Sequence, residues 1–141
     1  MDDLELLLDD HSLLSSQVVH VTALVRTLEQ DTSVTSPLCS EISRQVEILR
    51  QQLLEHFAFE EAQAFPRLQE KFPHVTSDLQ ELGGQHAVIL DALDAVQTAL
   101  KANPEPAWPE LIAHCDTFGA VFTDHAADEA ALLAELTSTP K

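Results

Sequence analysis

The composition of this 141-residue chain excludes several classes of protein before any motif is considered. Its 24 Asp and Glu residues outnumber its 7 Lys and Arg residues and give a formal charge of −17, so nucleic-acid phosphates and anionic membrane surfaces would repel it. Only three Gly and no Tyr occur, and the abundance of Leu, Ala and Glu favours helices over a sheet sandwich. We therefore expect a single all-α domain.

The cysteines and the apolar runs predict the compartment. Cys39 and Cys115 are far apart and form no C-x-x-C pair, which argues against a disulfide framework and against a thiolate zinc site. The beginning of the chain is acidic rather than basic, and no apolar run approaches the roughly 18 residues that a membrane span needs. The expected protein is cytoplasmic and binds neither nucleic acid nor membranes.

Polar or proline-containing segments before Pro37, around Pro73 and from Asn103 to Pro109 divide the chain into four amphipathic helices. The first predicted helix runs near Asp3 to Gln30 and repeats apolar residues at helical spacing. His11 fills a missing step in that stripe. Its side chain is therefore expected to point into the core.

The second predicted helix begins with Ser36 as the N-cap and Pro37 at the first helical position. Its apolar stripe leads to His56 and Glu60, and because residues four apart lie one above the other, about 6 Å along the axis, the pair faces one point. Pro66 cannot donate an amide hydrogen and crowds the preceding turn. We expect the helix to kink or end just beyond Glu60.

The third and fourth helices repeat this arrangement. The third is predicted to begin between Thr76 and Asp78, and His86 lies on its apolar stripe. The fourth is predicted to begin near Trp108, and its stripe reaches His125 and Glu129, a second pair with four-residue spacing. Each predicted helix thus contributes one inward histidine.

Four helices joined by short loops predict an antiparallel up-down four-helix bundle. We assign the bundle to residues 1–136 and a short flexible tail to residues 137–141. The histidines reach similar heights in such a bundle. His11 and His56 each lie about 19 residues from the first loop, and His86 and His125 lie about 16 and 17 residues from the third loop. Across the second loop the match is looser, about 15 residues against 9, and distortion at Pro66 can absorb part of the difference.

A single histidine on an apolar stripe is more often a core residue than a metal ligand. Four histidines at one height, two of them with a carboxylate one turn later, would instead leave ionisable groups unpaired in the core unless a cation bound them. The pattern therefore favours a metal site.

The remaining histidines lie off the stripes and are expected at the surface: His20, His74 and His114. The acidic neighbours of the pairs are interpreted as solvated or outer groups: Glu55, Glu61, Asp124 and Asp128.

Four motifs follow one another along the chain: a lone histidine, His-x-x-x-Glu, a second lone histidine and a final His-x-x-x-Glu. This order resembles that of the hemerythrin family, also called the HHE cation-binding domain. This resemblance covers nearly the whole chain and implies a four-helix bundle that holds two iron ions with an oxo or hydroxo bridge. It implies that His11 and His56 bind one iron and that His86 and His125 bind the other. It also implies that Glu60 and Glu129 bridge both.

One departure from the family changes the expected activity. Oxygen-carrying hemerythrins have a further histidine at the position of Leu90, so the resemblance is closer to relatives with open sites that act in oxidative or nitrosative stress, in iron-centre repair or on peroxide. We expect a di-iron protein that reacts with O2, NO or peroxide and exchanges electrons with a redox partner protein. Two alternatives remain open: a binding or sensing module without turnover, and a zinc or manganese site.

Overall fold

The computed structural model describes the backbone of residues 3–30, 36–101 and 108–138 and the side chains of residues 11–27, 40–101 and 109–136. Nearly all of this part of the chain is helical, and it contains no strand, which confirms the all-α prediction. A π-helical turn, Glu60–Ala64, joins α2 to α3, and a 3-10 turn, Pro73–Val75, precedes α4. The helices are α1 Asp3–Gln30, α2 Ser36–Phe59, α3 Phe65–Lys71, α4 Thr76–Leu100 and α5 Trp108–Ser138.

The four long helices form a bundle in which α1 packs against α2 and α5, and α4 packs against the same two helices. Each packed pair is antiparallel, because contacts between the two helices advance along one and retreat along the other. The contacts that show this are His11–His56 and Gln17–Gln45, Arg50–Asp94 and Phe57–His86, His86–His125 and Gln85–Asp128, and His11–Glu129 and Arg26–Asp116. The predicted up-down bundle is confirmed.

The described helix boundaries agree with those expected from the sequence. Helices begin at Ser36, Thr76 and Trp108, where N-cap residues or proline-containing segments predicted them. The first and third loops fall at residues 31–35 and 102–107 and lie outside the described residues. Of the predicted tail, residues 139–141 also lie outside them, whereas the backbone of α5 continues to Ser138.

The interruption predicted from Pro66 is observed as a π-helical turn. Pro66 has no amide hydrogen for the carbonyl of Ala62, and the amide of Phe65 instead donates to the carbonyl of Glu60, five residues earlier. The chain then continues into α3, so the helical path extends beyond Glu60 without a loop. Because the wider turn shifts the register, the consecutive residues Ala64 and Phe65 are both buried.

The core consists of two apolar clusters. The larger one joins α1, α2, α4 and α5 and includes Leu53, Ile89 and Phe122. The smaller one lies around α3, the start of α4 and the end of α5, and includes Leu68 and Leu132. His56, His86 and His125 lie along their helices between residues of these two clusters, and His11 contacts His56, so the bundle contains a polar layer across its core. Within the described residues, no helix has both the length and the apolar character of a membrane span.

Candidate metal centre

The structure brings all six predicted ligands into the polar layer between the two clusters. Five of these side chains are buried, namely His56, Glu60, His86, His125 and Glu129. His11 on α1 is the most accessible of the six, with 14% of its side chain exposed. Every long helix therefore contributes a histidine, and α5 adds Glu129 while the π-turn adds Glu60.

The Glu60 carboxylate lies between two groups of histidines. Its Oε2 atom is 3.6 Å from Nε2 of His11 and 3.5 Å from Nε2 of His56. Its other oxygen, Oε1, is 2.9 Å from Nε2 of His86. One carboxylate thus presents one oxygen to α1 and α2 and the other to α4.

Glu129 likewise lies between two histidines. Its Oε1 atom is 3.0 Å from Nε2 of His11, and its Oε2 atom is 3.1 Å from Nε2 of His125. The ligand atoms form two groups that could each hold a metal ion, and within each group they lie within 4.8 Å of one another. Glu60 belongs to both groups, which comprise His11, His56, Glu60 and Glu129, and Glu60, His86 and His125.

The buried polar atoms fit a metal better than they fit each other. Both oxygens of Glu129, Oε2 of Glu60 and the Nε2 atoms of His11 and His125 have no hydrogen bond of acceptable geometry, although they lie close to oppositely polarised atoms. Two atoms that bind one metal at about 2.1 Å, in octahedral or tetrahedral arrangement, lie about 3.0 to 3.4 Å apart. The observed separations of 2.9 to 3.6 Å are close to that range, so the donor set is suitable for cations.

Burial and charge act in opposite directions on these groups in the metal-free protein. Burial disfavours the imidazolium of His11, but the carboxylates of Glu129 and Glu60 outweigh it and raise the pKa of His11 to about 9. Burial also disfavours the carboxylate of Glu60, yet the adjacent imidazoles of His11, His56 and His86 lower its pKa well below the usual range. The site therefore favours positive charge next to two carboxylates.

Aromatic rings and outer polar groups hold the histidines. The ring of Phe57 stacks on that of His86, with centroids 3.8 Å apart and planes 10° apart. Glu61 Oε1 lies 3.3 Å from Nδ1 of His86, and Gln85 Oε1 lies 2.7 Å from Nδ1 of His125. The sequence predicts Glu61 as a solvated or outer group and does not single out Gln85. The sequence signal for a role near the site is that Glu61 follows Glu60 and Gln85 precedes His86.

Other predicted residues lie away from the site. His20, His74 and His114 are exposed, as expected. Cys115 is a free, buried thiol in the larger cluster, and burial raises its pKa to about 11. It therefore stays protonated at neutral pH and packs as a small apolar side chain.

The geometry agrees with the comparison to protein families. Residues 2–136 match the family described as "Hemerythrin HHE cation binding domain". The chain belongs to this family. Comparison with curated proteins and with solved structures gave no match. As a hemerythrin HHE domain, the chain is a cation-binding domain, and the groups of histidine and glutamate in its polar layer could hold the metal.

The raised pKa of His11 predicts how the stability of the metal-free domain depends on pH. The protonated form is favoured on folding, so its contribution is complete below about pH 6.5 and is lost as the pH rises through about 9. Denaturant unfolding of chelator-treated protein should show the free energy of unfolding falling across this range. His11→Gln should flatten the fall, and the exposed control His74→Gln should keep it. A wild-type stability that rises between these pH values would contradict the assignment.

Proposed function

We propose that this hemerythrin domain holds two iron ions in its polar layer and uses them to react with a small molecule. His11 and His56 would bind one iron, and His86 and His125 would bind the other. Glu60 and Glu129 would contact both. The observation that carries this proposal is that each carboxylate has one oxygen near a histidine assigned to the first iron and its other oxygen near a histidine assigned to the second.

The donor chemistry supports iron. Imidazole and carboxylate suit iron, and carboxylates between helices are the usual means by which bundles hold paired metals. Zinc and manganese can use the same donor set, and availability in the cell contributes to loading. Metal analysis therefore decides between these ions.

The surroundings support a small reactant. Bound iron would supply one-electron redox chemistry and coordination positions that the six side chains leave open. Leu90 packs against the larger apolar cluster and provides no ligand at the position where oxygen carriers have a further histidine, so reversible oxygen transport is disfavoured. Recesses of about 230 Å³ beside His56 and about 170 Å³ beside His125 are smaller than typical pockets for larger ligands. These features support O2, NO or peroxide as the reactant.

We assign the physiological role to the oxidative or nitrosative stress response, or to iron-centre repair, in the cytoplasm. The polar layer is bounded by apolar clusters, which favours keeping water and large reductants away from the metals. Electrons would therefore come through a redox partner protein at the surface. The charge of −17 favours a partner with a basic contact surface.

A second candidate function is sensing without turnover. His11 of α1 lies 3.6 Å from Glu60 and 3.0 Å from Glu129, so its side chain joins α1 to both carboxylates. Metal or ligand occupancy would then control how firmly this part of α1 is held to the bundle. A partner could detect that change.

Metal loading tests the proposed ligands. Protein expressed with ample iron should contain about two iron ions per chain and show the absorption of a coupled ferric pair. His56→Ala and Glu129→Ala should each lose most of this iron, because each removes a buried donor, whereas the exposed control His74→Ala should keep it. One tightly bound zinc without a ferric spectrum would refute the di-iron proposal, and equal losses in all three variants would refute the choice of ligands.

Stopped-flow kinetics separate reaction from sensing. Iron-loaded protein should consume many equivalents of peroxide or NO when an electron donor is supplied, and chelator-treated protein should consume almost none. The control is His74→Ala, which should retain the wild-type rate. Stoichiometric binding of each reactant with no further consumption would contradict catalysis and favour the sensing function.

A further inference from the structure

His86 is held at both nitrogens and on one ring face. Its Nε2 atom faces Oε1 of Glu60 at 2.9 Å, and its Nδ1 atom faces Oε1 of Glu61 at 3.3 Å. Phe57 stacks on the ring at 3.8 Å. The consecutive residues Glu60 and Glu61 of the π-turn therefore address the two nitrogens of one imidazole, and Phe57 prevents the ring from tilting.

His125 has a corresponding partner of different charge. Gln85 Oε1 lies 2.7 Å from Nδ1 of His125, and the amide nitrogen of Gln85 donates to Asp128 at 3.4 Å. This second hydrogen bond fixes which end of the amide faces the ring. Because an amide oxygen only accepts, Nδ1 of His125 must carry the hydrogen, which leaves Nε2 directed at Glu129.

We propose that Glu61 and Gln85 are positioning residues that fix the tautomers of His86 and His125, and that the charge of Glu61 makes His86 the stronger donor to its metal. The second part rests on the proposed function, since it requires a metal at His86. Neither residue touches the metal position in this proposal. Both act through the Nδ1 hydrogen of a ligand.

The physical basis is the polarisation of imidazole through its second nitrogen. A carboxylate that accepts the Nδ1 hydrogen increases the basicity of Nε2 and orients the ring, and loss of such a partner typically weakens metal binding about 10- to 100-fold. A neutral amide orients the ring equally well but polarises it less. Although 58% of the Glu61 side chain is exposed, a direct hydrogen bond is screened less than a distant charge. Stronger donation stabilises the ferric state.

Two substitutions at Glu61 separate orientation from charge. Glu61→Ala removes both and should weaken metal affinity about 10- to 100-fold, measured by Zn²⁺ competition with a chromophoric chelator. Glu61→Gln keeps an acceptor and should restore most of that affinity, yet it should raise the midpoint reduction potential of the iron-loaded protein. The control Glu55→Gln removes an exposed carboxylate beside His56 and should shift neither quantity. Circular dichroism verifies that each variant is folded.

Three results would overturn the proposal in part or whole. Wild-type affinity in Glu61→Ala excludes positioning, and a wild-type potential in Glu61→Gln, or an equal shift in Glu55→Gln, excludes the specific charge effect. If wild-type protein binds neither Zn²⁺ nor iron, the proposed function fails. In that case, long-range ¹H–¹⁵N NMR of the metal-free protein still tests positioning by Gln85: the Nδ1–H tautomer of His125 supports it, and the Nε2–H tautomer refutes it.

Discussion

The structure depends on the burial of two carboxylates, Glu60 and Glu129, in the middle of an otherwise apolar bundle. A carboxylate removed from water is strongly destabilising unless positive charge or several hydrogen-bond donors surround it. Four imidazoles surround these two groups, but their geometry provides few good hydrogen bonds. In the metal-free protein a proton on His11 supplies part of the missing positive charge. Metal cations would supply it more completely, and this requirement connects the fold to its function.

The rest of the bundle positions that layer. The larger apolar cluster lies on one side and the smaller on the other, so among the described residues the histidines and glutamates are packed between apolar side chains. Phe57 belongs to the larger cluster and stacks on His86. Packing therefore fixes the orientation of the side chains that would bind the metal, which reduces the reorganisation needed when a metal binds.

The heights of the histidines could be predicted from sequence because a helix rises about 1.5 Å per residue and short loops fix how neighbouring helices align. The mismatch across the second loop could be noticed but not resolved. The helical path continues through the π-turn and α3 to Lys71, about 15 residues after His56, and the 3-10 turn begins the return path at Pro73, about 13 residues before His86, so the two paths are closer in length than the sequence suggests. Glu61 and Gln85 could not be assigned, because they lie about 100° from their apolar stripes and their contacts depend on how closely two helices pack.

The most direct test of the account is anomalous diffraction at the iron edge from crystals of the iron-loaded protein. The account predicts two iron peaks in the polar layer, one next to His11 and His56 and one next to His86 and His125. Glu60 and Glu129 should each contact both peaks. A single peak, a peak outside the layer, or two peaks that share neither carboxylate would contradict it.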